Sequence, residues 1–148
     1  MNTDFKRRIA QAYELMNSST YLVVFTGAGI STDSGLSDYR GPDGVWTRRD
    51  QGRPAPKSRV SLHDATPNAS HQALVQLHKM GKLRFLISQN VDNLHRKSGI
   101  PDDILAELHG NHELMRCLEC ERRMERDEIG WELDKWGPGY RTEAERPG

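Results

Sequence analysis

Residues 21–41 read YLVVFTGAGISTDSGLSDYRG: a short apolar run, two glycines one residue apart, then a polar loop. The run at 21–25 has the length and β-branched content of a strand buried on both faces of a parallel sheet. A glycine-rich turn directly after such a strand is where dinucleotide folds seat a pyrophosphate. Gly27 and Gly29 supply the residue that turns the chain and the one that lets backbone approach phosphate, but Thr32 stands where a third glycine would let a helix pack on the strand. An acidic residue ending a second strand about 20 positions on is also missing, because residues 45–60 contain no strand-like run. Anion binding by backbone N–H groups survives these departures; a dehydrogenase site does not. Read alone, two glycines are equally a tight turn after a strand.

Working outward, LRFLIS (83–88) is a second buried strand. Before it, TPNASHQALVQLHKMG (66–81) has Thr66 as a cap, Pro67 suited to a first turn, Leu74 and Leu77 on one face, and Gly81 to end a helix. Strand, helix and strand at this spacing predict a βαβ crossover in an α/β sheet. Upstream, Phe5, Ile9, Ala12, Tyr13 and Met16 recur at helical spacing after Thr3, which predicts a structural helix packing one face on the core. Residues 41–66, rich in Gly, Pro and charge, form a long loop of the kind that serves function or stays disordered. After residue 110 the sequence becomes strongly charged and poor in branched apolar residues.

Composition narrows the classes. At 148 residues with 35% hydrophobic content, the chain holds one domain with a modest core. Lys plus Arg and Asp plus Glu both number 21, so no overall basic field draws it to nucleic acid or an anionic membrane. No run approaches the ~20 apolar residues of a membrane span, and the charged N-terminus lacks the apolar centre of a signal peptide. A soluble, cytoplasmic protein is expected. Both cysteines, Cys117 and Cys120, fall in one Cys-x-x-Cys, which in a reducing compartment indicates metal or redox chemistry.

GAGISTDSGLSDYRG resembles the motif of the sirtuins, NAD-dependent protein-lysine deacylases, usually Gly-Ala-Gly-x-Ser-x-x-Ser-Gly-Ile-Pro-Asp-Phe-Arg. In the family's order, SQNVDNLHRKSG (88–99) resembles its Thr-Gln-Asn-Ile-Asp-x-Leu-His segment, ELHGN (107–111) its catalytic histidine segment, and CLEC its first zinc pair. GPDGVWT and LAELHGN are most similar to the branch containing the nuclear members, wording that prokaryotic sequences share. The family consumes its cofactor at the nicotinamide ribose, so the turn needs glycines for phosphate, while the loop after it shapes the nicotinamide pocket. Thr32 is then no defect.

The resemblance implies a partial Rossmann-like sheet over residues 1–110, with a cofactor-binding loop at about 36–66, and the beginning of a small zinc-binding module over 111–148. It implies cofactor contacts from Gly27, Ala28, Gly29 and Ile30, from Asp38, Tyr39 and Arg40, from Gln89, Asn90, Val91 and Asp92, and from His109. Gln89 is expected at the ribose, Asn90 at water or ribose near the reacting carbon, and Asp92 at the carboxamide, although Asp92 also suits the cap of the next helix. Ile30 equally suits the core. Leu36 and Ser37 stand where the family has Ile and Pro, which leaves free a torsion that proline would fix.

Among six histidines, His109 matches the family's base, and an imidazole in a cleft can take a ribose hydroxyl proton near neutral pH. The implied reaction has the acyl-lysine carbonyl attack the ribose carbon as nicotinamide leaves; His109 then deprotonates a ribose hydroxyl, and the acyl group ends on ADP-ribose. An acyl-lysine protein or peptide is the implied partner. His95 matches a supporting position. Cys117 and Cys120 are half of a tetrahedral zinc site, in a hairpin-like setting. The family's second Cys-x-x-Cys and its later strands have no counterpart before Gly148, so the chain is expected to be truncated and inactive alone. Mono-ADP-ribosyl transfer and a non-catalytic NAD-binding fragment are the alternatives.

Overall fold

The computed structural model describes residues 3–126, which fall into two units divided between His112 and Glu113. In the first, β1 (Leu22–Thr26), β2 (Leu83–Ser88) and β3 (Leu105–Glu107) form a parallel sheet in the order β1-β2-β3. Thr26 lies opposite Ser88 and Ser88 opposite Glu107, so all three strands end together at their carboxyl edge. Helix α1 (Thr3–Ser18) precedes the sheet, α2 (Val45–Asp50) interrupts the long loop, α3 (Ala69–Lys79) crosses from β1 to β2, and α4 (Leu94–Ser98) follows β2. This is a partial Rossmann-like α/β fold.

The core forms where α3 lies on the sheet: Leu74 and Val75 of the helix pack with Leu83, Leu86 and Ile100, and Val24, Ile30 and Leu105 close over them. Helix α3 starts two residues later than Thr66 suggested, because Asn68 is the cap: its side-chain oxygen accepts from the N–H groups of Ser70 and His71. Lys82 N–H bonds the Leu77 carbonyl and Gly81 N–H that of His78, ending the helix at the expected glycine.

Two burial expectations fail. Strand β1 alternates, with Leu22, Val24 and Thr26 turned inward and Val23 and Phe25 exposed, Phe25 at 59%. An apolar run fixes the strand but not whether both faces are covered. Likewise α1 forms, yet none of its residues is buried, and Phe5, Ile9 and Tyr13 are exposed. Its periodicity identifies an apolar stripe and is silent on what the stripe meets.

The second unit, over 113–126, is a hairpin of β4 (Leu114–Arg116) and β5 (Arg123–Glu125), antiparallel, with Met115 opposite Met124. Residues 127–148, including most of the expected zinc module, lie outside the described residues. No helix among the described residues is long and apolar enough to cross a membrane.

Candidate functional site

Parallel strands that end side by side release their chains into polar turns at one edge, and open α/β sheets hold ligands there. The turns after β1 and β2 are locked together, since Gln89 N–H donates to the Thr26 carbonyl at 3.0 Å. The Asn90 side-chain amide donates to the Gly27 carbonyl and to Ser31 Oγ, both at 3.2 Å. Ser31 Oγ donates to Asp92 Oδ2 at 2.6 Å, and Asp92 Oδ1 accepts Leu94 N–H at 3.0 Å. An amide can only donate through its nitrogen and a carboxylate only accept, so the order Asn90, Ser31, Asp92 has a fixed polarity. All three residues are buried, and each has its orientation set by partners on another segment. Asp92 thus caps the first turn of α4 and also holds the β1 turn.

Past Gly27, Ala28–Ser31 forms one 3-10 turn instead of a helix packed on the strand. Thr32 Oγ1 bonds the Gly29 carbonyl at 3.0 Å, so the residue at the third-glycine position tightens the turn. Ile30 serves both roles its position allowed, packing on the core while facing the cleft.

The next segment folds on itself. Val45 N–H bonds the Asp38 carbonyl and Trp46 N–H that of Tyr39, both at 2.9 Å, which supplies acceptors to the first N–H groups of α2. A Cβ at Gly44 would stand 2.5 Å from the Tyr39 carbonyl carbon and 2.7 Å from Arg40 N, both backbone, so only glycine allows this turn. Tyr39 packs against Trp46 with ring centroids 5.3 Å apart, and the Arg40 guanidinium lies 4.4 Å from the Trp46 centroid. Arg40 is therefore stacked on an aromatic ring while remaining exposed.

These turns surround a cleft of about 1130 Å³. Gly27, Ala28, Gly29, Ile30, Asp38, Tyr39, Arg40, Gln89, Asn90, Val91, Asp92 and His109 all line it. Gly29 has open space where a side chain would begin, which leaves room for a ligand to reach backbone. His109 enters from beyond β3: Leu108 N–H bonds the Ser88 carbonyl at 2.9 Å, and Gly110 N–H turns back to Glu107 at 3.2 Å. Its ring is exposed on the cleft wall.

Two histidines lie beside the site: His95, expected in a supporting role, and His71, for which the sequence implies none. His71 and His95 are fully buried with ring centroids 5.0 Å apart, and His95 Nε2 is 2.9 Å from Thr26 Oγ1. Burial pushes both below the ordinary imidazole range, His95 to about 4, against the pull of Asp92, with His71 adding to the fall at His95. Both are neutral at pH 7. Asn68 joins this layer to the turn, donating from Nδ2 to the Ile30 carbonyl at 2.7 Å and to Ser34 Oγ at 3.0 Å. The sequence signal for Asn68 was its place before a helix, which predicts a cap and hides the tertiary bonds. Ser31 and Trp46 lie inside the GAGIS and GPDGVWT segments, where no local pattern sets them apart from their neighbours.

In the hairpin unit, Cys117 and Cys120 occupy the connection between β4 and β5, where Cys117 N–H bonds the Arg122 carbonyl and Glu121 N–H the Cys117 carbonyl. Backbone hydrogen bonds from Cys120 and Glu119 hold the Cys117 thiol below its usual range. Such a knuckle fits half of a thiolate metal site. Among the described residues no group of three or more His, Cys, Asp or Glu side chains could hold a metal ion.

The Sir2 family model matches residues 55–138, more than half of the chain. The NAD-dependent protein deacetylase SRT1 of Oryza sativa subsp. indica is 49% identical over 121 residues, covering 82% of this chain and 25% of that protein. The NAD-dependent protein deacetylase of Thermodesulfovibrio yellowstonii is 37% identical over 145 residues, covering 87% of this chain and 56% of that one. A solved Sir2 variant with a deacetylated p53 peptide and 3'-O-acetyl ADP-ribose superposes with a TM-score of 0.64 at 29% identity, over 85% of this chain and 56% of that chain. The chain thus spans between a quarter and just over half of the length of these relatives.

Proposed function

The chain belongs to the Sir2 family, and from that premise we propose that its cleft holds the nicotinamide end of NAD and that the protein removes acyl groups from lysine side chains, leaving them on ADP-ribose. NAD, when bound, supplies an electrophilic ribose carbon and nicotinamide as leaving group. The observation that carries this reading is the hydrogen-bonded series from Asn90 through Ser31 to Asp92, buried at the strand ends and lining one cleft with His109.

Each residue has a task that its setting suits. The turn at Gly27 to Ile30 holds the phosphates, with the open space at Gly29 admitting them to the backbone. Asp92 keeps Ser31 and Leu94 as partners and binds the carboxamide. Gln89 meets the ribose, and Asn90, held on Gly27 and Ser31, orders water or ribose at the reacting carbon. Tyr39 and Trp46 form an aromatic wall near the nicotinamide, with Arg40, which also lines the cleft, stacked on Trp46 as an anchor of the loop. His109, exposed on the cleft wall, takes the ribose hydroxyl proton and needs no buried charge to do so. Cys117 and Cys120 provide two of the four ligands of a structural zinc.

Incubation of this chain, carried within a complete Sir2 catalytic domain, with NAD and an acetyl-lysine peptide tests this: nicotinamide, deacetylated peptide and acetyl-ADP-ribose should form in equal amounts, and the same protein serves in every activity and binding test below. Nicotinamide release with transfer of ADP-ribose to protein, and no deacetylated peptide, would make it a mono-ADP-ribosyltransferase.

A further inference from the structure

Two segments meet beside the cleft with no connection in sequence. Residues 35–37 follow the β1 turn, and residues 58–60 lie in the long loop before α3. Ser37 N–H donates to Ser58 Oγ at 3.0 Å, and Ser58 Oγ donates in turn to Ser37 Oγ at 3.4 Å. Beside this pair, Arg59 N–H bonds the Gly35 carbonyl at 2.7 Å, and the Arg59 guanidinium bonds the Thr32 carbonyl at 3.0 Å. Gly35, at φ 93, presses its bare Cα face on Val60, where a Cβ would stand 3.0 Å from Cγ2. Leu36, Ser37, Ser58 and Val60 all line the cleft.

We propose that Ser37 and Ser58 form a clasp that fixes the loop following Gly35 against the 58–60 segment, and that Ser58 is thereby a positioning residue for the cofactor. The clasp solves a problem that this sequence sets itself. Proline at position 37 would fix φ covalently but would remove the N–H that Ser58 accepts. Serine leaves the torsion free and keeps the donor, so the same restraint comes from a hydrogen bond to a segment 21 residues away. The two devices exclude each other: a chain with proline at 37 gains nothing from an oxygen at 58.

Beyond residue 37 the loop is already rigid, through the Asp38 and Tyr39 carbonyls on α2 and the Arg40–Trp46 stack. Before Gly35 the turn is held by Asn68 and by Arg59. Leu36 N–H is tied back to the Ser31 carbonyl at 3.3 Å, so Ser37 is the joint between two fixed parts, and the clasp sits on it. Releasing it lets Tyr39 and Trp46 move as a unit away from the nicotinamide end of the cleft.

This rests on the assignment of the cleft to NAD, and the experiment separates the two. Backbone amide exchange of Ser37 is compared for the unsubstituted protein, Ser58→Ala and Ser58→Thr, and steady-state kinetics with NAD for these three, for Ser37→Pro and for the double variant Ser37→Pro with Ser58→Ala. Ser58→Ala should speed exchange at Ser37 by about fivefold and raise KM for NAD by a similar factor with kcat changed less than twofold, as loss of one exposed hydrogen bond implies. Ser58→Thr, which keeps the hydroxyl, should restore both. In the Ser37→Pro background, Ser58→Ala should change nothing further. Unchanged Ser37 exchange in Ser58→Ala, or an equal KM effect of Ser58→Ala with and without proline at 37, would overturn the clasp. Absence of NAD turnover in the unsubstituted protein would instead overturn the assignment on which it rests, and with it the positioning role.

Discussion

Ser31 Oγ and Asp92 Oδ2 lie 2.6 Å apart although 61 residues separate them, and this bond joins the turn after β1 to the turn after β2. Ser31→Ala removes a donor to a buried carboxylate and an acceptor for the Asn90 amide. Hydrogen bonds to charged groups are worth about 1.5–3 kcal/mol. Nicotinamide exchange should therefore fall by roughly 10- to 100-fold, with NAD affinity, measured by calorimetry, reduced much less. Normal exchange in this variant would show that the bond is structural alone.

Asn90→Ala leaves the Gly27 carbonyl without its side-chain donor, and Asp92→Asn puts an amide where two donors already point. Both should damage nicotinamide release more than affinity for ADP-ribose, which has no nicotinamide to position. Equal losses for NAD and ADP-ribose would reassign these residues to the phosphate side.

Acidification should weaken the fold through the buried histidines. An unfolded histidine titrates near 6.5, whereas folded His95 stays neutral down to about 4. Between those values the unfolded chain binds more protons, so stability is fully present above pH 6.5 and is lost as pH falls toward 4. His95 alone accounts for about 2 kcal/mol between pH 7 and pH 5. Burial raises the Glu107 carboxyl and works in the opposite direction, so the pH slope should be compared with that of His95→Gln by urea unfolding. Identical slopes would exclude His95 as the cause.

Gly44→Ala would drive a methyl into the Tyr39 backbone carbonyl, 2.5 Å from its carbon. The turn must open, at a cost on the order of 1–3 kcal/mol, and Tyr39 and Trp46 lose their register with it. KM for NAD should rise about tenfold or more, and the thermal midpoint should fall by several degrees, as a cost of that size implies.

How much of this was legible in the sequence depends on the kind of signal. Strands β1 and β2, the crossover helix and the cleft residues from Gly27 to His109 could be read because period, turn chemistry and ordered motifs are local. Asn68 and Ser58 could not, since their partners lie 38 and 21 residues away and no local pattern marks them. The same limit explains α1: its stripe of Phe5, Ile9 and Tyr13 predicted a helix correctly and its burial wrongly. Ser37 shows the limit from the other side. Its departure from proline was visible, and its consequence depended on where Ser58 stood.

If this cleft transfers the acyl group from lysine to ADP-ribose with His109 as base, His109→Ala should disable it. Deacetylation of an acetyl-lysine peptide and NAD affinity should be measured on the same preparations. Loss of a general base costs about 10²–10⁴ in rate, so turnover should fall by that factor while NAD still binds within a few-fold of the unsubstituted protein. Turnover close to that of the unsubstituted protein, with NAD binding intact, would remove His109 from the reaction.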